Sequence, residues 1–309
     1  MRSQLIVRLT LAAALAASLG GCAAGQPADA SDPSATDAVE SSKTGNPLQD
    51  INASSRVVAL SQEAANMWLL AGGKVVGVVE DAESIGGLPE EMEVLGSLSE
   101  VDPLQLTELK PDLVIASGSD EILPDFLDTL TLEGVPVLQV QVDSFEAYAE
   151  LMEQLTQATG RDDLYESNVT AVREKVDDVI EHVQASEGDT FVALRIEGES
   201  VRAAGEGDWL LSTLGDLGLQ SQSVPAGELA ASDLASADPK WIFVIYGGDG
   251  AKAEETFAEL REQQEWSELG AAAQGRVVVL PQSLFEHMPA NRWGEAYAYF
   301  SQVLHGSWA

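Results

Sequence analysis

The chain has 309 residues, 45% of them hydrophobic, and its 51 acidic residues against 16 lysines and arginines give a formal net charge of −35. This length and apolar content are enough for one large or two ordinary domains with their own cores. The charge favours solubility and excludes nucleic acid and anionic lipid headgroups as partners of the folded surface.

Residues 1–22 have the organisation of an export signal. Two arginines precede an apolar run over residues 9–19, and two glycines lead into Cys22, the only cysteine. This order is typical of a secretory signal peptide, and the run is shorter than the ~20 residues of a membrane span. A cysteine directly after small residues is the mark of a bacterial lipoprotein, so we predict lipid attachment at Cys22. The alternative is an ordinary signal peptide with a chance cysteine.

Residues 23–54 are rich in Ala, Asp, Ser, Pro and Gly and have no apolar period. We therefore expect a disordered tether. A first lobe follows over residues 55–160, with apolar runs at 57–60, 75–79, 113–116 and 135–142 and helical stretches after Ser61 and over 102–109. Strands that alternate with helices predict an α/β fold with a parallel sheet covered on both faces.

A long helical pattern over residues 161–187 contains neither glycine nor proline, and its apolar residues recur at helical spacing. The second lobe, residues 188–309, then repeats the plan of the first. Residues 192–194 are similar to 58–60, residues 234–245 are similar to 106–115, and 277–280 predict a strand like that at Val75. We expect two Rossmann-like lobes joined by one long rigid α-helix, unless this similarity is coincidental.

Ligands of open parallel sheets lie beyond the carboxyl ends of the strands. In the two lobes this rule nominates Ser61, Gln62, Glu63, Ser117, Ser119, Arg195 and Tyr246. The segment 285–293 adds His287, Met288, Asn291 and Arg292, and the loop before Trp209 adds an aromatic wall. Trp209 and Trp293 could equally be core residues. His182 and His305 are expected at the surface.

Motifs of catalysis are absent from the sequence. There is no Gly-x-Ser-x-Gly nucleophile elbow, and the run Gly72-Gly73-Lys74 lacks the spacing of a phosphate loop. The three histidines are far apart, so the sequence predicts no dedicated metal site.

Several segments together resemble the class III substrate-binding proteins of ABC importers, which carry iron–siderophore complexes, haem and cobalamin. The resemblance runs from Arg56 to about Gly306. Its strongest segments are 56–61, 109–114, 158–161, 265–277 and 289–297.

The resemblance implies a two-lobed, non-enzymatic and monomeric extracytoplasmic protein without an intrinsic cofactor. Its partners would be an ABC permease, the ATPase of that permease and a metal chelate. Docking in the family uses one acidic residue per lobe, but the aligned positions hold Leu104 and Ser232, so Asp102 and Asp233 become the candidates.

For the ligand, the resemblance implies an iron complex, either haem or a ferric siderophore, and a corrinoid is the alternative. Haem would need an axial ligand such as His287 or Tyr246. Siderophore anions would need guanidinium groups, of which Arg195, Arg202 and Arg292 are a small set. Further alternatives are an exported hydrolase with His287 as the base and a surface adhesin without a transport role.

Overall fold

The computed structural model describes residues 46–83, 85–117, 124–183 and 188–305. The predicted signal peptide, Cys22 and Ser119 lie outside these residues. The last part of the predicted tether belongs to the fold, because Leu48 and Ile51 are buried in the main hydrophobic core. Two isolated apolar residues in an irregular segment can pack into a core without giving a periodic pattern. The overall composition of residues 23–54 therefore did not predict their burial. No helix among the described residues is long and apolar enough to cross a membrane.

The first lobe is built on five parallel strands in the order β3-β2-β1-β4-β5. Their bounds are β1 Val57–Ala59, β2 Val75–Val78, β3 Glu93–Val94, β4 Leu113–Ser117 and β5 Val137–Val140. The central strand β1 is buried along its whole length and β4 along most of it, as expected for a parallel sheet covered on both faces. The four predicted strands are therefore confirmed.

The α-helices that accompany this sheet in the described part of the lobe are α1 Gln62–Leu70, α2 Pro103–Glu108, α3 Pro124–Leu132 and α4 Phe145–Thr159. Helix α1 begins at Ser61, whose hydroxyl accepts a hydrogen bond from the backbone N–H of Ala64 at 3.1 Å. This cap turns the chain at the carboxyl end of β1 and directs Gln62 and Glu63 into the first helical turn.

The connecting helix runs from Asp162 to His182, but it is not a uniform α-helix. A π-helical turn, Glu166–Thr170, separates α5 Asp162–Tyr165 from α6 Ala171–His182. The buried Asn168 in this turn donates to the carbonyl of Leu70 at 3.0 Å and accepts a hydrogen bond from the Tyr148 hydroxyl at 3.3 Å. The predicted unbroken rod is thus interrupted where a polar residue is satisfied by the first lobe.

The second lobe has the strand order β10-β9-β6-β7, with β8 also paired to β6. The bounds are β6 Thr190–Glu197, β7 Ser200–Ala203, β8 Gln220–Ser221, β9 Trp241–Gly247 and β10 Val277–Val279. Only β7 is antiparallel among these strands. The series β8-β6-β9-β10 matches β2-β1-β4-β5, so the strand at Val277 is the counterpart of β5 and not, as predicted, of β2 at Val75.

Within the described residues, the α-helices of the second lobe are α7 Trp209–Asp216, α8 Ala231–Ala237, α9 Gly250–Glu262, α10 Gly270–Ala273, α11 Gln282–Phe285 and α12 Trp293–Leu304. Helix α12 packs on α6 of the connecting helix. The last helix of the second lobe therefore lies against the connecting helix.

An aromatic cluster joins the lobes in addition to the helix. The buried ring of Trp293 lies 5.9 Å from that of Phe145 and 6.3 Å from that of Tyr148, both on α4 of the first lobe. On its own side it lies 5.3 Å from the ring of Trp209, nearly perpendicular to it. Trp293 is thus a core residue. One hydrophobic cluster extends from the first lobe through the connecting helix into the second lobe.

Candidate functional site

Two adjoining clefts lie where the lobes meet, at the carboxyl ends of the strands as predicted. The main cleft has a volume of about 600 Å³. Its lining from the first lobe is Glu63, Met67, Ser117 and Val140–Val142, and from the second lobe Arg195, Gly205–Trp209 and Glu286–Met288. A side cleft of about 450 Å³ is lined by Gln62, Asn66, Ile85, Gly86, Gln282–Leu284, Glu286–Pro289, Asn291 and Arg292.

A hydrogen-bonded pair crosses from lobe to lobe between these clefts. Nδ1 of His287 lies 3.2 Å from Oε1 of Glu63, and the two side chains are 37% and 28% exposed. The hydrogen bond to Glu63 raises the pKa of His287 against the opposing effect of burial, and the charges of Glu63, Glu286 and Asp81 add to the rise. Burial acts to raise the pKa of Glu63, but the hydrogen bond from His287 and smaller contributions outweigh it and lower that pKa. Both shifts favour the charged pair, a protonated His287 with an ionised Glu63.

A further carboxyl group faces this pair from the 3-10 turn Glu80–Ala82. Burial and the nearby charge of Glu63 raise the pKa of Asp81. The two lobes also approach each other closely at Gly207, where a Cβ atom would come within 2.8 Å of the Gln141 amide nitrogen. Gly207 has φ +87°, a conformation that glycine adopts without strain, so it allows this approach of the lobes.

The predicted anion-binding arginine of the main cleft is already paired. Arg195 donates from Nε to Asp208 at 2.6 Å and from Nη2 to the same carboxylate at 3.1 Å, and its Nη1 donates to the Glu286 carbonyl. Asp208 also caps α7 by accepting from the N–H of Leu210. The guanidinium therefore organises the second-lobe wall and adds no uncompensated positive charge to the cleft.

Arg292 and Asn291 line the side cleft. Arg292 donates from Nε and Nη2 to Glu295, at 3.1 and 2.8 Å, and from Nη1 to the Ser283 carbonyl. Asn291 donates to the side-chain oxygen of Asn168 at 3.3 Å and so ties this loop to the connecting helix. Both residues hold the loop in place against its neighbours.

Trp209 and Met288 combine packing with a place in the lining. The Trp209 ring stacks on Phe285 at 6.0 Å with an interplanar angle of 14°, so this side chain is both core and cleft wall. Sδ of Met288 accepts a hydrogen bond from the N–H of Ala290 at 3.0 Å. The thioether is thereby occupied within its own loop.

Two predicted ligand residues lie away from both clefts. Ser61 is buried and acts as the cap of α1. Tyr246 packs edge-on against Phe257 at 6.3 Å in the separate core of the second lobe, and burial raises its pKa. Successive strand residues alternate between faces, and Tyr246 shares the face of Ile242 and Val244 in that core. The expectation of Tyr246 as a metal ligand in the cleft is therefore not supported by its position.

The predicted docking carboxylates also have local roles. Asp102 accepts from the N–H of Leu104 at 2.9 Å and caps α2, and Asp233 accepts from the N–H of Ala230 at 2.8 Å at the start of α8. Leu104 is exposed beside Asp102. Arg202 on β7 pairs with Glu228 and lines neither cleft, and His182 and His305 are exposed as predicted.

Sequence reasoning did not single out several lining residues, among them Gln141, Glu206 and Glu286. Gln141 directly follows β5, so the rule of strand ends would have found it had it been applied to that strand. No sequence pattern marked Glu206 and Glu286, because a single glutamate does not stand out in a chain with 51 acidic residues. Within the described residues, no group of three or more His, Cys, Asp or Glu side chains could hold a metal ion.

Comparisons with known proteins agree with this architecture. The family model described as "Periplasmic binding protein" matches residues 57–284. Among curated proteins, none matches the chain. Solved structures do, each at low sequence identity, and they show a common fold.

Three of them illustrate the range. The periplasmic vitamin B12 binding protein BtuF of Vibrio cholerae aligns with a TM-score of 0.68 and 18% identity, over 82% of this chain and 98% of that one. The haem-binding protein RhuT from Roseiflexus sp. RS-1 gives 0.65 and 17%, over 82% and 99%. The triscatecholate siderophore binding protein FeuA from Bacillus subtilis gives 0.64 and 19%, over 81% and 92%.

These findings confirm the resemblance stated from the sequence and the two-lobed α/β fold. Members of this family are extracytoplasmic solute-binding components of transport systems and are not enzymes. The family match covers most of the chain, from β1 to α11. The chain therefore belongs to the periplasmic binding protein family.

Proposed function

We propose that this protein is the substrate-binding lipoprotein of an ABC importer and delivers an iron complex, haem or a ferric siderophore, to its permease and ATPase. The observation that carries the proposal is the main cleft, about 600 Å³ between two lobes that a helix and an aromatic cluster hold together. A volume of this size suits a bulky small molecule. The names of the similar structures, which mention haem, vitamin B12 and a siderophore, support the same class of ligand.

The residues of the cleft favour a metal that arrives inside a chelator. The described part of the chain offers no cluster of metal-ligating side chains, so a bare ion would lack donors. His287 could contribute one bond to a chelated metal. Because its Nδ1 is engaged by Glu63, a metal would bind at Nε2 in place of the proton there, and a carboxylate on the other ring nitrogen is a common support for such a ligand.

A corrinoid remains the second candidate. Met67, Val140, Val142 and Trp209 give the main cleft an apolar and aromatic surface that suits a large macrocycle.

Ligand binding is tested by thermal-shift and tryptophan-fluorescence titrations of the purified protein with haemin, ferric siderophores and cyanocobalamin. We expect saturable binding of at least one. If haemin binds, His287→Ala should remove or shift its Soret band, whereas His182→Ala, which changes an exposed histidine, should leave the band unchanged. A protein that binds none of these compounds would refute the proposal.

The membrane anchor is a separate part of the proposal and has a separate test. The lipid on Cys22 would supply the membrane contact that the acidic surface cannot. Cell fractionation should find the wild-type protein with the membrane and the Cys22→Ser variant in the soluble fraction. Retention of the variant in the membrane fraction would contradict lipid attachment.

Docking would use the surface around Asp102 and Asp233, with the protein as a monomer. Asp102→Asn and Asp233→Asn preserve a capping oxygen, so a loss of transport without a loss of stability would assign these carboxylates to the permease contact. Unchanged transport in both variants would remove them from it.

A further inference from the structure

Of the six charged or ionisable side chains that line the main cleft among the described residues, four belong to pairs and the other two are carboxylates. Arg195 is neutralised by Asp208, and His287 pairs with Glu63. Two carboxylates in the lining have no basic side chain of their own: Glu206 at the exposed rim and Glu286. Oε1 of Glu286 accepts a hydrogen bond from the N–H of Gly248 at 2.6 Å, which fixes the carboxylate without cancelling its charge.

Within the part of the chain that the structure describes, no other lysine or arginine lines the main cleft to balance them. Every lysine and arginine after residue 45 lies in the described part of the chain, and Arg195 is the only one of these that lines the main cleft. In the side cleft the one such residue is Arg292, which is held by Glu295. The ligand's own charge must therefore be met by carboxylates in a partly enclosed site, where water screens less than in bulk.

We infer that the main cleft selects uncharged or cationic metal chelates and rejects anionic ones. This inference rests on the proposed function and narrows it. Ferric trihydroxamates and corrinoids satisfy the condition. Ferric tricatecholates carry excess negative charge and need clustered guanidinium or ammonium groups, which this cleft lacks. Haem carries two propionates, so the carboxylates of the main cleft should disfavour it as they disfavour tricatecholates.

The test is a fluorescence titration of the purified protein with three ferric chelates of similar size: a cationic trihydroxamate, an uncharged trihydroxamate and an anionic tricatecholate. We expect the cationic and uncharged chelates to bind at least about tenfold more tightly than the tricatecholate. The preference of the cationic over the uncharged chelate should weaken as salt is raised.

Matched variants separate the cleft from the general charge of the protein. Glu206→Gln and Glu286→Gln should each shift the affinity ratio toward the tricatecholate by several fold. Glu259→Gln removes the same charge from an exposed position on α9 that lines neither cleft, and it should leave the ratio unchanged.

The outcomes are distinguishable. Binding of the tricatecholate as tightly as the trihydroxamates would overturn the charge selection and leave the proposed function standing. An equal effect of all three variants would assign the selection to the overall charge and overturn the role of the cleft. If no chelate, haemin or cobalamin binds, the proposed function itself fails.

Discussion

The two walls of the main cleft differ in chemistry. Among the described residues, the first-lobe wall has one charged side chain, Glu63, beside the apolar Met67, Val140 and Val142. The second-lobe wall carries nearly all the charged groups: Arg195, Glu206, Asp208, Glu286 and His287. The difference follows from construction, because the first wall is formed by α1 and the ends of two strands, β4 and β5, whereas the second is formed largely by the loops before α7 and after α11. We infer that the first wall sets the shape of the site and the second sets its selectivity.

The largest expected effect comes from removing the residue that holds both walls together. Trp293→Ala would leave a cavity between α4, α7 and α12, and the free energy of unfolding should fall by roughly 3–5 kcal/mol. Urea denaturation measures this change. Leu132→Ala, at a site that is 85% exposed, should change stability by less than about 0.5 kcal/mol. A similar small change in both variants would show that the aromatic cluster does not join the lobes.

A smaller effect is expected from breaking the ion pair of the second wall. Arg195→Gln leaves the Asp208 carboxylate, whose side chain is only 12% exposed, without its counter-charge. The arginine is one third exposed, so we expect a loss of about 1–3 kcal/mol, below that of a fully buried pair. The double variant Arg195→Gln/Asp208→Asn retains the cap of α7 and should recover part of the loss. Equal stability of the single and double variants would contradict the pairing.

The smallest effect is the pH dependence of the contact between the walls. The raised pKa of His287 means that its contribution is complete below the unfolded value near 6.5 and is lost as pH rises through the folded pKa. The lowered pKa of Glu63 means that its contribution is present above about 4.5 and is lost as pH falls through the folded value.

The pair should therefore stabilise the protein most between about pH 4.5 and 6.5, by about 1 kcal/mol because solvent screens it. Urea denaturation of wild type and His287→Ala at pH 5.5 and 9 tests this. The difference between the two proteins should be larger at pH 5.5. A difference that does not change with pH would exclude the ion pair.

Local sequence patterns predicted the strands and the edge of each sheet at which the cleft lies. They could not predict which side chains are available there. The sequence predicted Arg195 as an anion-binding group. Its partner Asp208 lies on a different segment, the loop before α7, and the tertiary fold brings that loop next to Arg195. The pair of Glu63 and His287 joins residues 224 positions apart, a separation that no local pattern reports.

The position of Tyr246 has a simpler explanation. The rule of strand ends predicts at which edge of the sheet a ligand binds. It does not predict which face of the sheet a side chain lies on, because that depends on the alternation along β9, and Tyr246 lies on the face that packs against α9. The π-helical turn could not be predicted from the sequence either, because it depends on the hydrogen bonds that Asn168 forms with Leu70 and Tyr148 of the first lobe.

The central claim is that a metal chelate binds between the two walls, and hydrogen exchange with and without a bound chelate tests it most directly. The account predicts that amides of residues 141–142, 205–209 and 286–288 exchange more slowly in the complex, while those around Tyr246 do not change. Protection confined to other parts of the chain, with none at these three segments, would contradict it.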